Sequence, residues 1–253
     1  MDEPIELFDC DALIGRPKVP LPRLEPSVDE LCDEMQRLGV GRALVRHRAC
    51  AEAGHETGNR LVLDETAARD GLMPVWMLAP DTLYETAPLE AVVDRMLKKG
   101  ACAAWLKPSV HGYVFEPWCC GHLLGALSDR RVPVLLEWED ATGRQVHEVL
   151  TAFPDLPLVL LQPPREGRHR ILYPLMEKHP SLHVVVTPTY SVYRGIEELC
   201  AEFGAERLLF GSGYPAFEGG AALCMLTYAE IGHEQRRAVA AGNIERLLRE
   251  VQR

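Results

Sequence analysis

Eight short apolar runs, separated by segments of helical pattern, constrain the fold of this chain more than any other feature. Each run is rich in Val, Leu, Ile or Phe and shows little alternation between apolar and polar residues. That composition is typical of parallel strands that are covered on both faces. The runs span residues 5–9, 42–47, 72–78, 102–107, 132–137, 156–162, 182–187 and 207–212.

The segments between the runs have the residue patterns of amphipathic helices. Residues 28–39 and 56–71 both end in glycine, and residues 88–100 carry acidic residues early and lysines late, which suits the helix dipole. Similar segments cover 117–130, 141–153 and 169–179, then 191–203 and a terminal helix or helix pair over 232–251. Repeated strand–helix units in 253 residues predict an α/β fold: a single (β/α)8 TIM barrel over residues 1–253, with a C-terminal helical extension.

A doubly wound open sheet is the alternative fold with the same alternation of strands and helices. Such a sheet usually carries a glycine-rich phosphate loop after its first strand. The corresponding turn here, CDALIGRPKVP (10–20), contains one glycine and two prolines. The turn therefore favours the barrel over a nucleotide-binding sheet.

Charge and cysteine usage limit the partners and the compartment. The net charge of −10 disfavours nucleic acid and anionic membranes as partners. No apolar run reaches the roughly 18 residues of a membrane helix, and the acidic start of the sequence lacks a signal-peptide pattern. The eight cysteines are scattered without a CxxC pair, which predicts a reduced, cytoplasmic protein with free thiols. The adjacent Cys119 and Cys120 are the most metal-like feature among them, but a helix start with one buried thiol is the commoner arrangement.

The C-terminal ends of the strands are where a barrel of this kind places its chemistry. Polar side chains stand at or just after several of these ends. They are Asp9, Asp11, Arg46, His47, Arg48, Lys107, Glu137, Glu139, Asp140, Gln162, Thr187, Thr189, Tyr190, Ser212 and Tyr214.

Several of these segments resemble one known group of enzymes. The segments are FDCDALIG (8–15), LPLVLLQ (156–162), FGAERLLFGSGYP (203–215) and GNIERLL (242–248). They resemble the amidohydrolase superfamily, in particular the amidohydrolase-related (amidohydrolase 2-type) branch of TIM-barrel hydrolases and decarboxylases. The resemblance extends over nearly the whole chain, and its last two motifs together are fairly specific.

The resemblance implies metal ligands at five positions: two histidines on strand 1, one each on strands 5 and 6, and an aspartate on strand 8. The residues found there are Asp11, Leu13, Glu137, Gln162 and Gly213. Zinc prefers nitrogen and sulfur donors, and neither leucine nor glycine has a side-chain ligand. We therefore expect no metal of the usual kind and no cofactor. A hard cation held by Asp11, Glu137 and Gln162 together with waters would be a different site.

The remaining polar groups suggest a metal-independent site. Lys107 would stabilise an oxyanion or bind a substrate carboxylate, and Asp11 or Glu137 would activate water. These three are the predicted catalytic residues. The predicted substrate-binding residues are His47, Arg46, Gln162, Trp138, Tyr190 and Tyr214.

Two functions are compatible with these residues and with the resemblance. The first is metal-independent hydrolysis of a lactone, ester or amide of a small acidic molecule, as in lactonases of the superfamily that work without metal; decarboxylation is a second chemistry of the same branch. The second is a catalytically silent barrel that serves as a binding or scaffolding subunit, with Asp11, Lys107 and Glu137 as a buried ion-pair cluster. An open mouth favours the enzyme, whereas a mouth plugged by aromatic side chains over fully paired ions favours the silent barrel. Relatives are often dimers, so the resemblance also implies a homodimer.

Overall fold

The computed structural model describes residues 5–18, 26–80 and 89–253, and its eight strands form one sheet in chain order. Consecutive strands pair in parallel, and the barrel prediction is confirmed. The strands are β1 (Leu7–Ile14), β2 (Val40–His47), β3 (Leu72–Met77), β4 (Ala103–Leu106), β5 (Val134–Glu137), β6 (Leu158–Leu161), β7 (Leu182–Val186) and β8 (Leu208–Phe210).

Helices follow the strands on the outside of the barrel. They are α1 (Val28–Leu38), α2 (Ala49–Glu52), α3 (His55–Thr66), α4 (Leu89–Lys98), α5 (Pro108–His111), α6 (Pro117–Asp129), α7 (Gly143–Ala152), α8 (Leu172–Lys178), α9 (Gly195–Phe203), α10 (Gly219–Tyr228), α11 (His233–Arg237) and α12 (Asn243–Arg249). The predicted helices lie within a few residues of these bounds, and Gly39 ends α1 in the left-handed region with φ 71°. Residues 19, 20 and 88 of the predicted segments lie outside the described ranges.

Helix α10 is a long element that the sequence pattern did not predict, and the four-residue helices α2 and α5 were not predicted either. Helix α10 begins with two glycines, and its remaining residues are mostly apolar all round. A helix without a polar face gives a weak period of 3.6 residues, which is why the pattern did not reveal it.

Alternating side chains along the strands build two apolar layers. Val75, Met77 and Trp105 belong to the interior of the barrel. Trp76, between two interior residues of β3, belongs to the layer between strands and helices. This alternation is the period of two that any strand imposes, so neighbouring residues on one strand face different environments.

A β-bulge in β1 changes this alternation beside the barrel mouth. Asp9 pairs with Ala43 and Ala12 pairs with Val45, so β1 contains one extra residue between the two pairings. Ala12 packs in the outer layer, whereas Leu13 packs against the interior. The bulge thereby turns the side chain of Asp11 inward.

The C-terminal extension packs at the opposite end of the barrel from the site. A π-helical turn, Ala238–Gly242, joins α11 to α12. The amide of Asn243 donates to the carbonyl oxygens of Ala205 and Leu208, each at 2.8 Å, where β8 begins. These bonds fix α12 beside the N-terminal ends of the strands.

The structure bears on the predictions that concern membrane helices and free thiols. Within the described ranges, no helix has both the length and the apolar character that crossing a bilayer requires. All eight cysteines are free. Cys120 is buried in the first turn of α6 and Cys119 is half-buried, and burial raises the pKa of the Cys120 thiol to about 12. The pair therefore starts a helix with one thiol in the core.

Candidate functional site

Arg46 occupies the centre of the barrel mouth. Its side chain is only 2% exposed, and its guanidinium donates through one Nη to Asp11 and through the other to Glu137 Oε1, the latter at 2.8 Å. The guanidinium carbon also lies 5.0 Å from the centroid of the Trp105 ring. A single cation from β2 thus bridges carboxylates from β1 and β5 and rests on an aromatic ring from β4.

Lys107 extends the same network toward solvent. Its Nζ lies 2.5 Å from Glu137 Oε2 and 3.1 Å from Asp140 Oδ2. The hydroxyl of Ser109 donates to the other oxygen of Asp140. Glu137 therefore has one cation on each oxygen, and both Lys107 and Glu137 stay about one-fifth exposed (18% and 22%). These two groups are where a bound molecule can reach the network.

Asp11 is the most deeply placed carboxylate of the network. Its second oxygen accepts a bond of 3.1 Å from the amide of Gln162, which adopts a left-handed conformation (φ 53°) at the end of β6. Gly211, directly after β8, leaves room for Asp11, because a Cβ there would come within 3.0 Å of the Asp11 Cβ and 2.3 Å of Val185 Cγ1. The backbone directly after β6 and directly after β8 thus accommodates this one carboxylate.

Asp9 holds the backbone next to the ion network through hydrogen bonds. Its carboxylate accepts hydrogen bonds from the backbone N–H groups of Asp11 and Ser212, each at 2.9 Å, and from the Ser212 hydroxyl. The N–H of Leu13 donates to the carbonyl of Tyr214 at 2.9 Å. These bonds close the barrel between β8 and β1 and hold the bulge that presents Asp11.

The two carboxylates that touch Arg46 differ in acidity. Burial raises the pKa of Asp11 from 3.8 to about 6, although the Arg46 charge opposes the shift. Burial also acts on Glu137, but the charges of Arg46 and Lys107 outweigh it and hold the pKa of that carboxyl below its usual value. Near neutral pH the site therefore combines a firmly ionised carboxylate with one close to its titration point. Such a pair is typical of acid–base sites.

The family model described as "Amidohydrolase" matches residues 18–249. The chain belongs to the amidohydrolase family. The match begins after β1 and ends at the last residue of α12. No curated protein sequence matches the chain.

Solved structures with the same barrel include carboxylate-processing enzymes. The 2,6-dihydroxybenzoate decarboxylase from Rhizobium is 15% identical, with TM-score 0.73 over 97% of this chain and 99% of that one. The 5-carboxyvanillate decarboxylase from Sphingomonas paucimobilis is 14% identical, with TM-score 0.74 and the same two coverages, 97% and 99%. A probable 2-pyrone-4,6-dicarboxylic acid hydrolase from Acinetobacter baumannii, with citric acid bound, is 12% identical, with TM-score 0.69 over 96% and 99%. At these identities the likeness concerns the fold.

The donors at the mouth of this amidohydrolase barrel do not fit a divalent metal ion. Asp11 and Glu137 both engage the guanidinium of Arg46, so a cation of the protein already stands between them. Leu13 and Gly213 provide no side-chain donor. Among the residues that the structure describes, no three His, Cys, Asp or Glu side chains are grouped to hold a metal.

The structure brings five of the predicted site residues together, namely Asp11, Arg46, Lys107, Glu137 and Gln162. It places His47 elsewhere. The Nδ1 atom of His47 accepts from the backbone N–H of Ala49 at 3.1 Å, and its Nε2 lies 3.4 Å from Glu65 on α3. Its ring covers Gly15, where φ is 100° and a Cβ would lie 2.7 Å from the ring. His47 therefore contacts the helix layer, one residue away from the inward-facing Arg46.

The three predicted aromatic residues also pack toward the outer layer. Tyr190 is fully buried, and its hydroxyl lies 3.1 Å from that of Tyr173 on α8. Tyr214 is buried in the same outer layer, and Trp138 is half-buried against it. No described contact links these rings to the ion network, so their predicted roles in substrate binding gain no geometric support.

Sequence reasoning gave no role to Asp140, Ser109 or Trp105, which complete the network. Asp140 lies in the 3-10 turn Trp138–Asp140 directly after β5, and this turn returns its carboxylate to Lys107. An acidic residue three positions after Glu137 was the available signal. Ser109 and Trp105 carried no signal of their own, because each depends on how β4 and α5 are placed around Lys107.

Proposed function

We propose that this amidohydrolase barrel is a metal-independent hydrolase that opens a lactone or ester of a small acidic molecule. The observation that supports it is the connected network of Asp11, Arg46, Lys107 and Glu137 at the mouth, with Lys107 and Glu137 within reach of solvent. A hydrolase of this kind needs a base for water and a cation for the oxyanion, and the network contains both.

Asp11 is the proposed general base. A base works best when its pKa lies near the working pH, and the pKa of Asp11 is about 6, whereas that of Glu137 is held low. Each Asp11 oxygen accepts one hydrogen bond, from Arg46 or Gln162, and retains capacity for a second from water. Asp11 takes a proton from water as the water oxygen adds to the substrate carbonyl carbon.

Lys107 is the proposed electrophile. Its ammonium group is the more exposed cation of the network, so it faces the carbonyl oxygen that becomes negative when water adds. The intermediate collapses by breaking the bond to the leaving oxygen, which receives the proton held by Asp11. An ester thereby gives an acid and an alcohol, a lactone gives one hydroxy acid, and Glu137 and Arg46 keep the reacting groups in position.

Basic residues beside the mouth support an acidic substrate. The segment after β6, which follows Gln162, lines a cavity of about 480 Å³ with Arg165, Arg168 and Arg170. Arg165 pairs with Glu166 and Arg168 lies 3.9 Å from Glu198, so Arg170 is the cation of the three without an ion pair to a described residue. The structural neighbours add to this support: one is named as a hydrolase of a pyrone dicarboxylic acid and was solved with citric acid, and two are named as decarboxylases of aromatic acids. A substrate with at least one carboxylate suits these features.

The test is hydrolysis of a panel of lactones and esters that carry a carboxylate, using protein dialysed against chelator. Native protein should turn over at least one member, and Lys107→Met should lose that turnover. The matched control is Lys178→Met, an exposed lysine at the end of α8, which should keep the native rate. Unchanged turnover in Lys107→Met would remove this lysine from the mechanism.

A silent barrel is the second candidate function, favoured by one observation. Both cations of the network are paired, and Asp11 and Arg46 are almost inaccessible, at 1% and 2% exposure. In that case the folded native protein hydrolyses no member of the panel and decarboxylates no hydroxybenzoic acid added to it. Saturable carboxylate binding without turnover would assign it a binding role.

A further inference from the structure

A second cavity lies outside the barrel, between α3 and α4. Its volume is about 390 Å³, within the usual range for small-molecule pockets. Its inner wall includes Trp76 and Leu78 at the end of β3, whose side chains face the helix layer. The ion network faces the opposite side of the sheet, so this cavity is separate from the barrel mouth.

The wall of the cavity is apolar but contains one unsatisfied donor. Leu63, Leu78 and Val92 line it together with Trp76, which is 8% exposed. The indole N–H of Trp76 is buried and has no acceptor among the residues that the structure describes. A buried donor without a partner is unfavourable, so an acceptor on a bound molecule would be stabilised there.

The rim of the cavity is cationic. Arg60 from α3, Arg95 from α4 and Lys99 directly after α4 line it, and none of the three forms an ion pair with a described residue. Two carboxylates, Glu56 and Asp64, also line the cavity, so among the described lining residues three cations against two anions leave a local charge of +1. In a chain of net charge −10 the rim is thus a patch of positive charge that no described carboxylate neutralises through an ion pair.

We infer that this cavity is a binding site for a small organic anion: an aromatic or branched apolar body that carries a carboxylate or sulfonate group. The apolar body covers Leu63, Leu78 and Val92, and the anionic group pairs with the cations of the rim. A further oxygen of the same anionic group accepts the Trp76 N–H. This site is independent of the proposed chemistry at the mouth.

The test uses 8-anilinonaphthalene-1-sulfonate, which has such a body and one sulfonate, beside the uncharged N-phenyl-1-naphthylamine. Native protein should bind the sulfonate at one saturable site. The double variant Arg95→Gln/Lys99→Gln should bind it about tenfold more weakly, a change equal to about 1.4 kcal/mol. Binding of the uncharged probe should not change. The matched control is Lys98→Gln on the same helix, because Lys98 is exposed and does not line this cavity.

A second readout works on the native protein and does not depend on the charge variants. The indole ¹⁵N–¹H signal of Trp76, assigned by its loss in Trp76→Phe, should move downfield as the sulfonate saturates the site. Equal affinity of the double variant and Lys98→Gln would overturn the inference. A Trp76 signal that stays in place at saturation would also overturn it.

Discussion

Replacing Arg46 by methionine removes the cation that Asp11 and Glu137 share while keeping most of the side-chain volume. Asp11 is then a carboxylate of 1% exposure without an ion-pair partner. Removing one partner of a buried pair costs about 3–5 kcal/mol. A change of 1 kcal/mol shifts the melting temperature of a domain near this size by about 2–4 °C, so we expect a loss of about 6–20 °C at pH 7.5.

Arg42→Met is a matched control for this variant. Arg42 lies on the same strand, pairs with Glu6 and Glu245, and places its guanidinium carbon 4.8 Å from the centroid of the Phe8 ring. It differs in exposure, since 30% of its side chain is accessible compared with 2% for Arg46. Exposed pairs contribute about 0–1 kcal/mol each, so this variant should lose only a few degrees.

The pH dependence of the Arg46→Met loss identifies its cause. Without the guanidinium, Asp11 has an even higher pKa and is protonated at pH 5.5, so the loss should be smaller there than at pH 7.5. Thermal and urea unfolding of both variants at the two pH values measure this. The reasoning is refuted if Arg46→Met is no less stable than Arg42→Met at pH 7.5, or if its loss is the same at both pH values.

Further predictions concern the same carboxylate and the packing around it. The rate of hydrolysis should rise with pH through about 6 and then level off, because Asp11 must be ionised to act as a base; a flat profile excludes it. Since the folded pKa of Asp11, about 6, exceeds its ordinary value of 3.8, the contribution of this carboxyl to native stability should fall by about 3 kcal/mol as pH rises from about 4 to 7. Asp11→Asn should lack this fall, so urea unfolding should show it gaining stability relative to native. Arg46→Ala should acquire affinity for Mn²⁺, detectable by calorimetry, because it leaves oxygen donors without their cation. Gly58→Ala should unfold at a much lower temperature, since its Cβ would lie 2.2 Å from the Cys50 nitrogen, whereas Gly121→Ala, 3.7 Å from the nearest ring, should be neutral or stabilising.

Period and position in the sequence were sufficient to predict the barrel and to predict that three charged residues meet at its mouth. Apolar runs located all eight strands, and their ends located Asp11, Lys107 and Glu137. Because parallel strands of a barrel end on one face, these residues had to lie near one another. The geometry adds Arg46 as the group that joins two of them.

The position of a residue in the sequence did not predict the direction in which its side chain points. Arg46 and His47 are adjacent polar residues at the end of β2, yet the first faces the barrel and the second faces α3. No glycine or proline in the sequence marks the bulge that turns Asp11 inward. Tyr190 and Tyr214 likewise follow strand ends but pack in the outer layer. Whether each side chain faces the interior or the helix layer depends on bulges in the strand and on the neighbouring elements. A single sequence does not reveal either of these.

The central claim is that Arg46 and Lys107, rather than a metal ion, neutralise the carboxylates of the barrel mouth. The metal content of the purified protein, measured by elemental analysis before and after dialysis against chelator, tests it most directly. The account predicts far less than one zinc or manganese per chain in both samples, with unchanged turnover of any lactone or ester substrate. About one tightly held zinc or manganese per chain, with turnover that disappears on its removal, would contradict it.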